Sequence, residues 1–154
     1  MTKVAKEKGF TMIEVIVVMI IFAVVFGLSI LYYQTTQVRS DLNGQVLQFV
    51  SYARLAQSNA DAGKDNSNHG IHLESSGYVL FVGDSYVESA DDNFEIDLPA
   101  TMIIRNINLD SAGSDVVFER PYGETDDFGT FDFYSAQLNA TKTITISNIG
   151  TVNY

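Results

Sequence analysis

The chain has 154 residues, of which 46% are hydrophobic and none is cysteine, and its formal net charge is -10. The length suits one folded domain with an appendage, and the lack of cysteine excludes thiol catalysis, cysteine-based zinc sites and a disulfide. Without residues 1–9 the chain has 6 basic and 18 acidic residues, a net charge of -12. An acidic body argues against nucleic acid binding, which needs clustered lysine and arginine.

The N-terminal third begins with a basic head and continues as an apolar run. Residues 1–9 contain three lysines and one glutamate, and residues 10–33 contain a single charge, Glu14. A helix over residues 10–33 would rise about 36 Å, which is enough to cross a bilayer. Because positive charge collects on the cytoplasmic side of a span, we predict one membrane span with its N-terminus in the cytoplasm.

The helix is predicted to continue beyond the apolar run, over about residues 11–62. Residues 34–62 contain no proline and one glycine, Gly44. Apolar residues recur there at alternating steps of four and three, which makes one stripe of an amphipathic helix. The stripe consists of Leu42, Val46, Phe49, Ala53, Ala56 and Ala60. Gly63 is the predicted stop, and the stripe is expected to cover one face of a sheet.

Residues 63–154 are predicted as a β-rich head, because short alternating segments are separated by polar or acidic loops. We expect a hairpin turn at residues 75–77, and Ile103, Ile107 and Leu109 on one face of a strand. The predicted strands are residues 70–74, 78–82, 101–109, 116–119, 130–134 and 142–147, and the loops are residues 84–97, 110–115 and 124–127. The fold class is therefore α+β, with a long N-terminal helix packed on an antiparallel β-sheet domain.

The stretch from Lys8 to Val15 reads KGFTMIEV. It resembles the class III signal of type IV pilins and type II secretion pseudopilins, in which a short basic leader ends in glycine before an aromatic residue, three apolar or hydroxyl residues and glutamate. The resemblance implies that prepilin peptidase cleaves after Gly9, that Phe10 becomes the N-methylated N-terminus, and that Glu14 guides assembly. It also implies a pilin-like fold.

Physical chemistry supports an assembly role for Glu14. A charged side chain inside a membrane helix costs about 2.5–3.5 kcal/mol by insertion scales, so it needs a compensating partner. Cleavage would create an amine on Phe10, one helical turn away or on a neighbouring subunit, whereas in the precursor this nitrogen is an uncharged amide. Pairing would therefore couple processing to assembly. The alternative is a signal-anchored protein in which Glu14 merely lies near the headgroups.

The body is similar to the minor pseudopilin H and FimT group. The similarity covers residues 49–82, where a helix with Ala53, Arg54 and Ala56 is followed by two strands. It also covers residues 118–152, with the FERPxG segment, then FDF, then ITISxxGxV. This resemblance implies a minor pseudopilin branch of the pilin family.

No catalytic residue, cofactor or metal ligand is predicted, and we expect no enzyme activity. His69 and His72 are predicted to bound a loop and begin a strand. Some pseudopilins bind calcium in acidic loops, but solvated surface charge is the preferred interpretation of the two acidic clusters here. These clusters are Asp91, Asp92, Glu95 and Asp97, and Glu124, Asp126 and Asp127.

The predicted function is a structural subunit, a minor pilin or pseudopilin, of a type IV pilus or type II secretion pseudopilus. The alternatives are a major pilin, a subunit with a recognition role in adhesion or DNA uptake, and an anchor that does not assemble. The expected partners are prepilin peptidase, other pilin or pseudopilin subunits, the assembly platform and the membrane, but not nucleic acid. We expect a single pass through the bacterial inner membrane with the head outside, followed by incorporation into a periplasmic or extracellular filament.

Overall fold

The computed structural model describes residues 9–154, except for the side chains of residues 29–37. Of the predicted leader, residues 1–9, only Gly9 is described, and the other eight residues lie outside the described part. The chain divides into two compact units, Met1–Gln37 and Val38–Tyr154. Helix α1 spans Met12–Asp61, which confirms the single long helix predicted over residues 11–62.

The helix ends where the sequence predicts. Gly63 has φ +61°, a left-handed conformation that side chains disfavour, and its N–H donates to the Ala60 carbonyl at 2.9 Å. A single 3-10 turn, Lys64–Asn66, then leads the chain into the head. Gly63 therefore closes the helix because glycine is the residue that adopts this conformation without strain.

The head contains two antiparallel four-stranded sheets. The strands are β1 His69–Leu73, β2 Gly77–Val82, β3 Phe94–Asp97, β4 Met102–Leu109, β5 Asp115–Phe118, β6 Gly129–Ser135, β7 Ala140–Ile146 and β8 Val152–Asn153. The first sheet has the order β3-β2-β1-β5 and the second β4-β6-β7-β8. All six predicted strands are present within two residues of their expected ends, and the predicted turn joins β1 to β2. β3 and β8 were not predicted.

The amphipathic stripe of α1 is buried along its whole length, as predicted, from Leu42 (4% exposed) to Ala60 (0%). At its centre, the Phe49 ring lies 5.1 Å from both the Tyr78 ring on β2 and the Phe131 ring on β6. Full burial of a phenylalanine contributes about 1.5–3 kcal/mol. The expectation of one covered sheet face was wrong, because the helix contributes to a core shared by both sheets.

The prediction that Ile103, Ile107 and Leu109 share one face of β4 is correct only in part. Met102 and Ile104 are buried, while Ile103 is 39% exposed and Ile107 only half-buried. The pairing of β4 with β6 shifts between Arg105 and Asn108. The extra residue of this irregularity reverses the inside–outside alternation, so that Leu109 is buried although it lies an odd number of residues from Met102.

A clamp closes the C-terminal part of the head onto the helix. The Gln57 side-chain amide donates to the Gly123 carbonyl at 3.1 Å and to the Ile149 carbonyl at 3.0 Å. Gly150 has φ +76°, and a Cβ there would lie 2.3 Å from the Gly123 carbonyl oxygen. One helix residue thus holds two loops that come from distant parts of the sequence.

Candidate functional site

The N-terminus of α1 begins at a defined cap. The Glu14 N–H lies 3.3 Å from the Thr11 side-chain oxygen and 3.1 Å from the Thr11 carbonyl, which also accepts the Val15 N–H at 3.3 Å. Thr11 is therefore the N-cap residue and Glu14 the third helical residue. This role of Thr11 was not predicted from the sequence, although the spacing Thr-x-x-Glu before an apolar run is the signature of a capping box.

The predicted cleavage site lies just before this cap. Gly9 and Phe10 are outside the helix and exposed, and the Phe10 side chain is 84% exposed. A Cβ built on Gly9 meets no described atom within 4 Å. Packing against the described residues therefore does not explain why this residue is glycine.

The first turns of α1 expose apolar side chains on every face. Large hydrophobic residues from Met12 to Leu28 are 45–84% exposed, including Val15 (45%), Met19 (68%) and Phe26 (65%). An isolated helix that is apolar all round is unstable in water and needs a membrane or neighbouring chains to cover it.

A membrane span is not confirmed by the structure. Within the residues that it describes, no helix is both long and apolar enough to count as a span. The predicted span over residues 10–33 includes five residues whose side chains are not described, and it stays a prediction.

Glu14 is the single charged residue of the described apolar turns. It is exposed, and its carboxylate makes neither a hydrogen bond nor an ion pair with any described residue. Its position in the first turn is favourable, because the helix N-terminus carries a partial positive charge. Among the described residues, the carboxylate therefore has no partner.

Comparison with protein families bears on this segment. The family model for the prokaryotic N-terminal methylation motif matches residues 4–30. The chain carries this motif. The methylation motif indicates a membrane-anchored precursor that prepilin peptidase processes, and a pilin-like subunit that assembles with others of its kind. No curated protein and no solved structure matched the chain, and the similarity to the minor pseudopilin H and FimT group stays a prediction.

The methylation motif includes all three residues predicted to act in processing and assembly, Gly9, Phe10 and Glu14. The structure places them within six residues of one another, at and just before the start of α1. It does not test which bond is cut or what Glu14 contacts after assembly, so these roles stay predictions.

In the head, the two histidines have structural contacts. His69 begins β1, as predicted, and its buried ring lies 3.2 Å from the Lys64 carbonyl. His72 lies within β1, and its Nδ1 is 2.5 Å from an Asp115 oxygen. The other Asp115 oxygen accepts the Tyr86 N–H at 3.1 Å, and the Tyr86 ring stacks on His72 at 4.1 Å. This cluster fastens the loop after β2 to the first sheet. Neither the sequence spacing nor any motif predicts it.

The acidic clusters differ from their prediction in part. Asp91 and Asp92 are exposed in a loop, but Glu95 and Asp97 belong to β3 and not to a loop. Asp127 is half-buried and accepts the Val117 N–H at 2.9 Å, so it has a structural contact. In the described part of the chain, no group of three or more histidines and carboxylates is arranged to hold a metal ion.

The outer face of the second sheet is polar and well bonded. Asp132 accepts hydrogen bonds from Thr143 and Asn106, each at 2.7 Å, and these two bonds lower the pKa of its carboxyl group. The Arg105 guanidinium lies 3.7 Å from the centre of the Tyr134 ring. The positive charge of Arg105 therefore already interacts with the Tyr134 ring and with the Asp132 carboxylate.

Proposed function

We propose that this chain is a structural subunit of a type IV pilus or type II secretion pseudopilus. Prepilin peptidase cleaves the precursor between Gly9 and Phe10, the new N-terminus is methylated, and the processed chain joins a filament as a minor pilin or pseudopilin. The observation that carries the proposal is the methylation motif at residues 4–30, placed at the start of a helix whose first turns are apolar on every face.

The surroundings of Gly9 support the cleavage site. A Cβ at this position would meet no described atom within 4 Å. An enzyme that binds this segment in a narrow cleft would supply a requirement for glycine that the described contacts do not. A larger side chain would crowd the bond to be cut without disturbing the fold.

The surroundings of Glu14 support the assembly role. Its carboxylate has no partner among the described residues and lies on a helix that needs an apolar environment. After cleavage, a neighbouring subunit's Phe10 amine supplies the opposite charge, and the ion pair favours one axial register that apolar contacts alone would not select. In the precursor the same nitrogen is an amide, so only processed chains pair in this way.

The precursor is proposed to cross the inner membrane once, with a cytoplasmic N-terminus and the head outside. Adhesion, DNA uptake and a major-pilin role are the alternatives. DNA uptake is the weaker one, because Arg105 stacks on Tyr134 and Arg120 bonds to Asn66, so these cations are engaged within the head. The net charge of -12 after residue 9 further opposes binding to a polyanion.

The test of cleavage compares two glycines in cells that contain prepilin peptidase. Gly9→Val should abolish cleavage, whereas Gly27→Val, at a helix position that also has no atom within 4 Å of a Cβ, should leave it intact. Mass spectrometry of the wild-type chain should show an N-methylated Phe10. A wild-type chain that keeps residues 1–9 in such cells would refute the proposal.

The test of assembly compares Glu14→Val with Ile13→Val. Both variants should insert in the membrane and be cleaved, because each keeps the apolar run and Gly9. Only Glu14→Val loses the partner for a neighbour's amine, so only this variant should accumulate as processed membrane protein and be depleted from sheared filaments. Equal recovery of both variants in filaments would remove Glu14 from the mechanism.

A further inference from the structure

We infer that Thr11 positions the cleavage site by fixing where α1 begins; this inference rests on the proposed function, in which the bond from Gly9 to Phe10 is the one cut. The Thr11 side-chain oxygen accepts a hydrogen bond from the Glu14 N–H, and the Thr11 carbonyl accepts one from the Val15 N–H. The helix starts at Met12. The scissile bond therefore lies two residues before the first helical residue.

This separation matters because of the Gly9 carbonyl, which is the group that a peptidase must attack. The carbonyl of an N-cap residue accepts the first hydrogen bond of the helix, from the N–H four residues later. Because Thr11 is the cap, the Thr11 carbonyl accepts this first hydrogen bond, and the Gly9 carbonyl does not take part in the helix. If the helix began two residues earlier, Gly9 would be the cap, and its carbonyl would accept the Ile13 N–H and be held within the helix.

The sequence determines the direction in which the start would move if Thr11 lost its capping oxygen. Residues 12–28 contain no serine, threonine, aspartate or asparagine, which are the side chains that cap helices well. Upstream, Gly9 is an acceptable N-cap, and a start there would keep Glu14 within the first turns, where its charge is favourable. Loss of the cap is therefore expected to extend the helix towards the scissile bond, not to shorten it.

Two variants separate capping from direct recognition of Thr11 by the peptidase. Thr11→Val keeps the shape of the side chain and removes the capping oxygen, whereas Thr11→Asn changes the shape and keeps a strong cap. The initial rate of cleavage is measured with the full-length precursor in membrane vesicles that contain prepilin peptidase. Thr11→Val should be cleaved about fivefold more slowly than the wild-type chain, and Thr11→Asn and Thr11→Ser within about twofold of it.

The opposite order, with fast cleavage of Thr11→Val and slow cleavage of Thr11→Asn, would show recognition of shape and overturn the inference. Equal rates for all variants would also overturn it. If the wild-type chain itself is not cut at Gly9, the proposed function fails first, so the two failures are distinguishable.

A second measurement follows the start of the helix directly. Amide hydrogen exchange of the full chain in detergent micelles reports the Ile13 N–H, which has no acceptor in the first turn of the wild-type helix. In Thr11→Val this N–H should become about fivefold more protected, because the Gly9 carbonyl accepts it. Unchanged exchange at Ile13 together with slower cleavage would overturn the inference.

Discussion

The clamp formed by Gln57 gives the sharpest test of how the head is held together. Its side-chain amide donates to the carbonyls of Gly123 and Ile149, at 3.1 and 3.0 Å. Gln57→Met removes both donors and keeps the length of an unbranched side chain. At about 1 kcal/mol for each lost hydrogen bond, the free energy of unfolding should fall by about 2 kcal/mol. For a unit of this size that corresponds to a Tm lower by roughly 6–12 °C.

The measurement is thermal unfolding of a fragment spanning residues 38–154, followed by circular dichroism. This fragment contains every buried residue of the core, from Leu42 to Val152, so we expect it to fold with both helix and strand content. Gln48→Met is the matched control, since Gln48 is exposed on the same helix and its replacement should change stability by less than about 0.5 kcal/mol. Equal thermal unfolding midpoints for Gln57→Met and Gln48→Met would show that the clamp does not stabilise the head.

The remaining predictions use the same fragment and assay. Gly150→Ala should destabilise it by about 2 kcal/mol or more, because φ is +76° and a Cβ would collide with the Gly123 carbonyl, whereas Gly44→Ala, in open space within the helix, should stabilise it by about 0.5–1 kcal/mol. Tyr78→Phe should stabilise it by about 1 kcal/mol, because the buried Tyr78 hydroxyl has no partner among the described residues, and Tyr134→Phe, which loses a bond to Asn139, should not. Burial raises the pKa of Tyr78 above the value of about 10 in the unfolded chain, so stability does not depend on pH through this group below about pH 10 and falls above it, because the unfolded chain ionises first. The Phe variant should lose less stability above about pH 10, and an identical alkaline decline in both proteins would contradict this reasoning.

The elements with a regular pattern were predictable from the sequence. The alternating steps of the stripe and the left-handed Gly63 define the amphipathic helix and its end, and both are local properties. The short edge strand β3 was missed because its residues, Phe94–Asp97, are nearly all exposed and leave no apolar alternation to detect. The two-residue strand β8 is too short to carry any period.

The arrangement of the strands was not predictable in the same way. β1 pairs with β2, its neighbour in sequence, but also with β5, from Asp115 to Phe118, so β5 lies in a different sheet from its sequence neighbours β4 and β6. Side-chain alternation shows which residues can be buried together but does not specify a pairing partner more than 40 residues away. The face of β4 was mispredicted in part for a related reason, because an irregularity near Asn106 reverses the alternation within the strand.

In the N-terminal segment, Thr11 and Glu14 have two roles, and the sequence predicted a role in the processing signal but not one in the first turn of the helix. Thr11 and Glu14 are parts of the signal, and the structure shows that they also form the first turn of α1. A carboxylate in that turn gains about 0.3–1 kcal/mol from the helix N-terminus. The cost of a charge at the centre of a membrane span is about 2.5–3.5 kcal/mol, so the first turn offsets only part of it. In the first case Glu14 lies near the headgroups, where the cost of its charge is smaller, and the chain is an anchor that does not assemble. In the second case another subunit pairs with Glu14 and offsets the rest of that cost. The first case leaves filament recovery of Glu14→Val unchanged and the second lowers it, so the comparison with Ile13→Val decides between two energetic accounts of the same residue.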